Sequence, residues 1–265
     1  MRGSLRMLAP DVHHEVGGSF VVPDVVRCLS FDIWDTLLRG NKEFTYPRLS
    51  LIFELLGHPG MDAELLRIAY RASGRYFDSL SENTGLDYGF RERLQMMCAK
   101  LGIEASLPGD PALRAIQSRV GRLRLDPRYM PRLSEPDLIE TLTALKAAGY
   151  RLGLLSNTGM DDVHVMRPVL ERLSIWQLCE LAIFSSEDGR AKPNPELFRH
   201  AVELFGVAPF EVLHIGDNTN ADFRAREAGL VSVVYAPNGL RGRWFPSISS
   251  MKELLPREMV KNSAP

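Results

Sequence analysis

Short apolar runs recur along the chain, at Val25 to Phe31, Arg151 to Leu155, Leu181 to Phe184, Val212 to Ile215 and Val231 to Tyr235. Consecutive apolar positions over so few residues predict strands buried on both faces. From Arg151 onward these runs alternate with segments of helical period, the signature of a parallel sheet covered on both sides. Pro136 to Ala148 is the clearest helix, with Leu138, Ile139, Leu142 and Leu145 on one stripe and Gly149 placed to stop it. A second is announced by Asn194 as N-cap and Pro195 at the first helical position, and runs to Phe205 before Gly206. The predicted class is α/β, with a doubly wound, Rossmann-like parallel sheet.

Between Gly40 and Pro136 the alternation stops. Helical stretches take its place, at Leu49 to Leu56, Asp62 to Tyr76, Gly89 to Leu101 and Pro111 to Leu125, broken by Gly57-His58-Pro59-Gly60 and Pro108-Gly109-Asp110. The pattern predicts an all-helical insertion at 41–132 in an α/β core made of 25–40 and 133–255. Residues 1–24 and 256–265 read as appendages, being short on periodic pattern.

Composition narrows the function classes. The 265 residues carry 32 Lys+Arg against 33 Asp+Glu, a formal net charge of -1, and are 45% hydrophobic. This balance gives no general electrostatic grip on nucleic acid or on acidic membranes, so neither is expected as a partner. No apolar stretch approaches the about 18 residues that a membrane-spanning helix needs. Residues 1–26 do not read as a secretory signal, because Pro10, Asp11, His13, His14 and Glu15 interrupt them. Cys28, Cys98 and Cys179 are an odd number without CxxC spacing, neither a disulfide framework nor a zinc site. A cytoplasmic protein with buried thiols is expected. The adjacent His13 and His14 read as part of a solvated tail.

Open α/β sheets bind ligands beyond the carboxyl ends of their strands, so the residues standing there matter most. The first run ends in Phe31-Asp32-Ile33-Trp34-Asp35-Thr36-Leu37. Asp32 is placed to attack an electrophile or bind a cation, and taken alone is equally a turn-forming Asp. The second ends in Ser156-Asn157-Thr158-Gly159, whose hydroxyl and N–H groups suit an anion but are also ordinary turn chemistry. Lys192 precedes the proline-started helix and could neutralise a phosphate or a carboxylate. The fourth run leads into Gly216-Asp217-Asn218-Thr219-Asn220-Ala221-Asp222. Its two aspartates can approach one hard cation opposite Asp32, and oxygen ligands of this type select Mg²⁺ over zinc.

In series, Asp-x-x-x-Thr-Leu, Leu-Ser-Asn, Lys-Pro-x-Pro and Gly-Asp-x-x-x-x-Asp resemble the four motifs of the haloacid dehalogenase superfamily of hydrolases, over Val25 to about Pro237. The resemblance implies that Asp32 is the nucleophile and forms an aspartyl-phosphate. It implies that Ser156 binds the transferring phosphoryl oxygens, with Thr36 and Asn157 beside it, and that Lys192 offsets charge on Asp32 and on the phosphate. Mg²⁺ would be held by Asp32, the backbone carbonyl of Trp34, Asp217 and Asp222. The helical insertion is similar to the family's cap, which closes over the site and selects a small phosphorylated substrate. Within it Arg48, Arg71, Arg75, Arg91 and Arg93 could meet an anionic part of the ligand, with Tyr46 and Arg48 best placed near the expected hinge.

One position departs from the family's phosphatases. The second residue after their nucleophile is usually an Asp that protonates the leaving oxygen, and here it is Trp34. Loss of a general acid removes about 10²–10⁴-fold in rate. Asp35 could substitute only by a shifted loop, since neighbouring side chains in an extended segment point opposite ways. An aromatic at this position is similar to the family's 2-haloacid dehalogenases, whose halide leaves without a proton. Those enzymes work without metal and do not keep the Gly-Asp pair of the last motif, whereas here Asp217 and Asp222 put back an anionic metal cluster that would repel a carboxylate substrate. The expected activity is therefore Mg²⁺-dependent phosphomonoester hydrolysis. The alternatives are dehalogenation, or a catalytically weak protein that binds a phosphorylated ligand or a protein partner.

Overall fold

The structure, a computed structural model, describes residues 20–104, 106–239 and 245–258. His13 and His14, with most of both appendages, lie outside the described residues. Six parallel strands form one sheet in the order β5-β4-β1-β6-β7-β8. They are β1 (Cys28–Phe31), β4 (Arg151–Ser156), β5 (Leu181–Phe184), β6 (Val212–Gly216), β7 (Val231–Tyr235) and β8 (Ser247–Ile248). The five apolar runs all become strands. The edge strand β8 was not legible, because two residues pairing with Val234 and Tyr235 leave no periodic pattern.

Register explains why the runs are apolar throughout. Leu29 and Phe31 of β1 pack on one face with Leu152, Leu154, Leu213 and Ile215, beneath α5 (Leu138–Ala147) and α6 (Val163–Arg172). Cys28, Leu155 and Val212 pack on the other, against Leu197, Phe198, Ala201 and Phe205 of α8 (Pro195–Phe205). Ser30 and His214 share that second face, and β1 delivers Asp32 to it in turn, because side chains alternate along a strand. Between β5 and α8 stands the single turn α7 (Ser185–Asp188). The three cysteines are free thiols, and burial pushes those of Cys28 and Cys98 up.

The insertion leaves the sheet through an antiparallel two-strand ribbon, β2 (Leu38–Arg39) paired with β3 (Arg132–Leu133). Beyond it lie α1 (Thr45–Leu55), α2 (Ala63–Thr84), α3 (Phe90–Lys100) and α4 (Asp110–Arg124). Helix α2 outruns the expected Tyr76 end. Asp62 caps its start, accepting from the N–H groups of Glu64 and Leu65 at 2.9 Å, and it stops only at Gly85, where φ is +69°. The four helices bury their own apolar cluster around Phe44, Ile52, Phe53, Leu66, Leu94 and Ile116, which also takes in Met160 and Val165 from the sheet side. Helix α4 rests directly on α6. A Cβ added at Gly121 would lie 2.7 Å from the His164 carbonyl oxygen, so only glycine allows this approach.

Candidate active site

The carboxyl ends of β1, β4 and β6 open into a cleft of about 960 Å³ under the helical layer. Asp32 follows β1 directly, and its N–H donates to the Ile215 carbonyl at 2.9 Å, extending the β1–β6 pairing by one residue. The chain then turns back, with the Leu37 and Leu38 N–H groups both donating to the Ile33 carbonyl at 2.9 Å. Opposite, the loops after β4 and before α8 are joined through Asn157. Its side chain accepts from the Lys192 N–H at 2.8 Å and donates to the Lys192 carbonyl at 2.9 Å. That clamp sets Lys192, 2% exposed, with its ammonium 2.6 Å from Asp32 Oδ1 and 2.5 Å from Asp222 Oδ1.

Asp222 is bonded on several sides. Besides Lys192 it accepts from His214 Nε2 at 3.1 Å and from the Asn218 N–H at 3.0 Å. Burial works against its charge but is outweighed by Lys192 and His214, so its carboxyl is held well below the usual range. Burial likewise disfavours the Lys192 cation, and Asp222 and Asp32 outweigh it and push its pKa up. For Asp32 the balance runs the other way, and burial, opposed by Lys192, carries its carboxyl up to about 7. His214 is fully buried, and burial holds its ring below the ordinary value. The neutral ring therefore donates from Nε2 to Asp222 and accepts at Nδ1 from the Ser30 hydroxyl, 3.1 Å away.

Asp32, Asp217 and Asp222 each bring a carboxylate oxygen within 4.8 Å of the others. Three hard oxygen donors converging on one point fit a cation such as Mg²⁺ and have none of the sulfur or imidazole character of a zinc site. Gly216 makes the convergence possible, since a Cβ there would fall 2.1 Å from Asp222 Cγ. We expect Gly216→Ala to move Asp222 off Lys192 and His214. Calorimetric titration with Mg²⁺ should then read at least about 10-fold weaker binding, the lower end of what displaced supporting groups do to metal affinity.

The remaining expected residues divide. Asn157 lines the cleft, as does Trp34. Ser156, at the end of β4, is 2% exposed and its hydroxyl reaches the Asn157 carbonyl only at 3.4 Å. Thr36 is fully buried with an unpartnered hydroxyl, and neither it nor Ser156 is among the residues that line the cleft. Asp35 sits at φ 58° and lines the cleft, with its 65% exposed side chain paired to Arg39 at 3.1 Å. Of the five arginines singled out in the insertion, Arg48 and Arg93 line the cleft. Arg71 and Arg75 are exposed, Arg91 pairs with Asp110 at 2.6 Å, and Tyr46 is 41% exposed, outside the lining.

Sequence reasoning missed Arg124, Asp161 and Tyr70. Arg124 ends α4 in an Arg-Leu-Arg stretch that reads as ordinary helix-end charge. Asp161 ion-pairs with Arg48 at 2.7 Å across a sequence distance that no spacing rule bridges.

A family model described as haloacid dehalogenase-like hydrolase matches residues 26–229. The chain belongs to this family. The hydrolase is 26% identical over 212 residues to the glyceraldehyde 3-phosphate phosphatase of Methanopyrus kandleri, covering 79% of this chain and 83% of that one. Among solved structures, an HAD phosphatase from Thermococcus onnurineus superposes with a TM-score of 0.59 at 20% identity, over 89% of this chain and 98% of its own. The 2-haloacid dehalogenase of Pseudomonas syringae pv. Tomato gives 0.56, also at 20% identity, over 90% and 100%. These structures share the fold of the hydrolase.

Proposed function

We propose that the hydrolase is a Mg²⁺-dependent phosphatase acting on a small phosphomonoester through Asp32. The observation that carries this reading is the convergence of Asp32, Asp217 and Asp222 on one cation position with Lys192 bridging two of them. When bound, Mg²⁺ would draw charge from the phosphoryl oxygens and from the carboxylates. Asp32 Oδ attacks phosphorus, the bond to the ester oxygen breaks, and the leaving oxygen takes a proton from solvent water in the cleft as the phosphoryl group passes to Asp32. Water then attacks that phosphorus, loses a proton to solvent, and breaks the acyl–oxygen link to phosphorus, which releases phosphate and restores the carboxylate. Lys192 lowers the repulsion between an anionic nucleophile and an anionic substrate. Ser156, after a small rotation of its hydroxyl, and the backbone around Asn157 and Gly159 would hold phosphoryl oxygens. The helical layer would serve as the cap that excludes water during transfer. The phosphatase name of the Methanopyrus relative agrees with this reading.

Trp34 favours a second reading, carbon–halogen hydrolysis, because it removes the proton donor that an alkoxide leaving group needs. A panel of small phosphomonoesters and 2-haloacids, with Mg²⁺ and with chelator, separates the two. We expect phosphate release that falls at least about 10²-fold with chelator, the scale of a cation stabilising transferring charge. Halide release indifferent to chelator would replace this reading with the dehalogenase one.

A further inference from the structure

The cleft holds a cation that the transfer chemistry does not use. Arg124 is 3% exposed, its Nε makes no hydrogen bond, and among the described residues no carboxylate pairs with it. Its guanidinium lies 4.1 Å from the Phe44 ring centroid and 5.3 Å from that of Trp34. Arg48 approaches the same wall, 5.4 Å from Phe44 and 4.8 Å from Tyr70. Its Nη1 is taken by Asp161, while its Nε is also unpartnered. Arg93, the third arginine of the cleft, is satisfied by Asp78 at 2.8 Å and by the Tyr88 carbonyl at 2.6 Å.

Two buried guanidinium groups thus share one carboxylate, and an uncompensated buried charge is unfavourable unless something else supplies the counter-charge. Aromatic rings stand against Arg124 at these distances, and its planar fork of N–H groups suits a carboxylate or phosphate, which it meets in the plane of the group. The group is in place before a ligand arrives, because α4 is seated on α6 at Gly121. It is also near the chemistry, since the ring beneath it belongs to the residue two positions after Asp32.

We propose that Arg124, supported by Arg48, binds a second anionic group of the substrate, so that the substrate is a small phosphomonoester that also carries a carboxylate or a second phosphate. As a statement about substrate this rests on the phosphatase reading above. As a statement about binding it does not. The Asp32 end takes the phosphoryl group, and the aromatic-walled arginine end takes the other charge.

The test has a binding arm and a turnover arm, on the full chain with Mg²⁺. Calorimetry compares phosphonopropionate and ethylene bisphosphonate with propylphosphonate, on the wild type, Arg124→Gln and Arg124→Lys. The doubly charged probe is expected to bind about 10²-fold tighter than propylphosphonate, the scale of charge-assisted hydrogen bonds to a buried group. That preference should vanish in Arg124→Gln and return in part in Arg124→Lys, and the better of the two probes tells carboxylate from phosphate. In turnover, phosphoglycolate should exceed ethyl phosphate by a similar factor, mainly through KM, with the ratio collapsing in Arg124→Gln. Equal binding of the probes by the wild type, or an equal loss for both in Arg124→Gln, overturns the proposal. Absence of turnover with Arg124-dependent binding intact overturns the phosphatase reading alone.

Discussion

Asp32→Asn is expected to abolish phosphate release while leaving the protein folded. The amide is nearly isosteric with the carboxylate but cannot attack phosphorus, so covalent transfer has no nucleophile. Removing the nucleophile of a covalent enzyme lowers kcat on the order of 10⁶-fold, leaving only the rate that binding and electrostatics support. Folding should survive for a specific reason. Asp32 shares Lys192 with Asp222, so the ammonium keeps a partner at 2.5 Å when Asp32 loses its charge. The substitution also removes a carboxylate whose burial already disfavours its charged form. The measurement is malachite-green phosphate release on the best ester of the panel, beside a thermal melt of both proteins. Release within about 10-fold of wild type in a folded variant would remove Asp32 as nucleophile and with it the mechanism proposed here.

How much of this was legible in the sequence follows from the range over which each signal acts. Apolar runs such as Val212 to Ile215 and Val231 to Tyr235 announce strands because burial on both faces leaves every position apolar. Asp32, Lys192, Asp217 and Asp222 stand out in the sequence as a series, since each alone is ordinary turn or surface chemistry and only their order along the chain carries the resemblance. His214 was hidden inside such a run. Its ring interrupts an apolar strand without announcing that it bonds Asp222 while packing at 5.2 Å against Phe198 of α8. Arg124 and Asp161 were hidden for a different reason. Their positions depend on how the helical layer settles over the sheet, through contacts such as Gly121 against His164 that couple residues far apart in sequence. Composition and period carry no information about that docking. The same holds for β2 and β3, two residues each, whose pairing is set by where the insertion leaves and rejoins the core.

Lys192→Met is expected to be the most damaging single change to stability in the site. The methionine fills similar volume, so the packing of the stem survives and the lost quantity is charge. Asp32 then keeps no cationic partner at its Oδ1, and Asp222 retains only His214 and the Asn218 N–H. Breaking a buried ion pair by removing one partner costs about 3–5 kcal/mol, because the other partner stays desolvated and uncompensated. Here one cation serves two carboxylates, so the upper part of that range is expected, read as a lowered urea midpoint with an unchanged m value. Adding Asp222→Asn to Lys192→Met should recover part of the loss, since the second change removes one of the stranded charges. The same Asp222→Asn in the wild type should destabilise, because it strips Lys192 of a partner and turns the His214 donor toward a neutral amide. Opposite signs for one substitution in the two backgrounds would measure the coupling directly. Identical effects in both would mean that Asp222 and Lys192 act independently, and would contradict a site in which the lysine holds the carboxylates together.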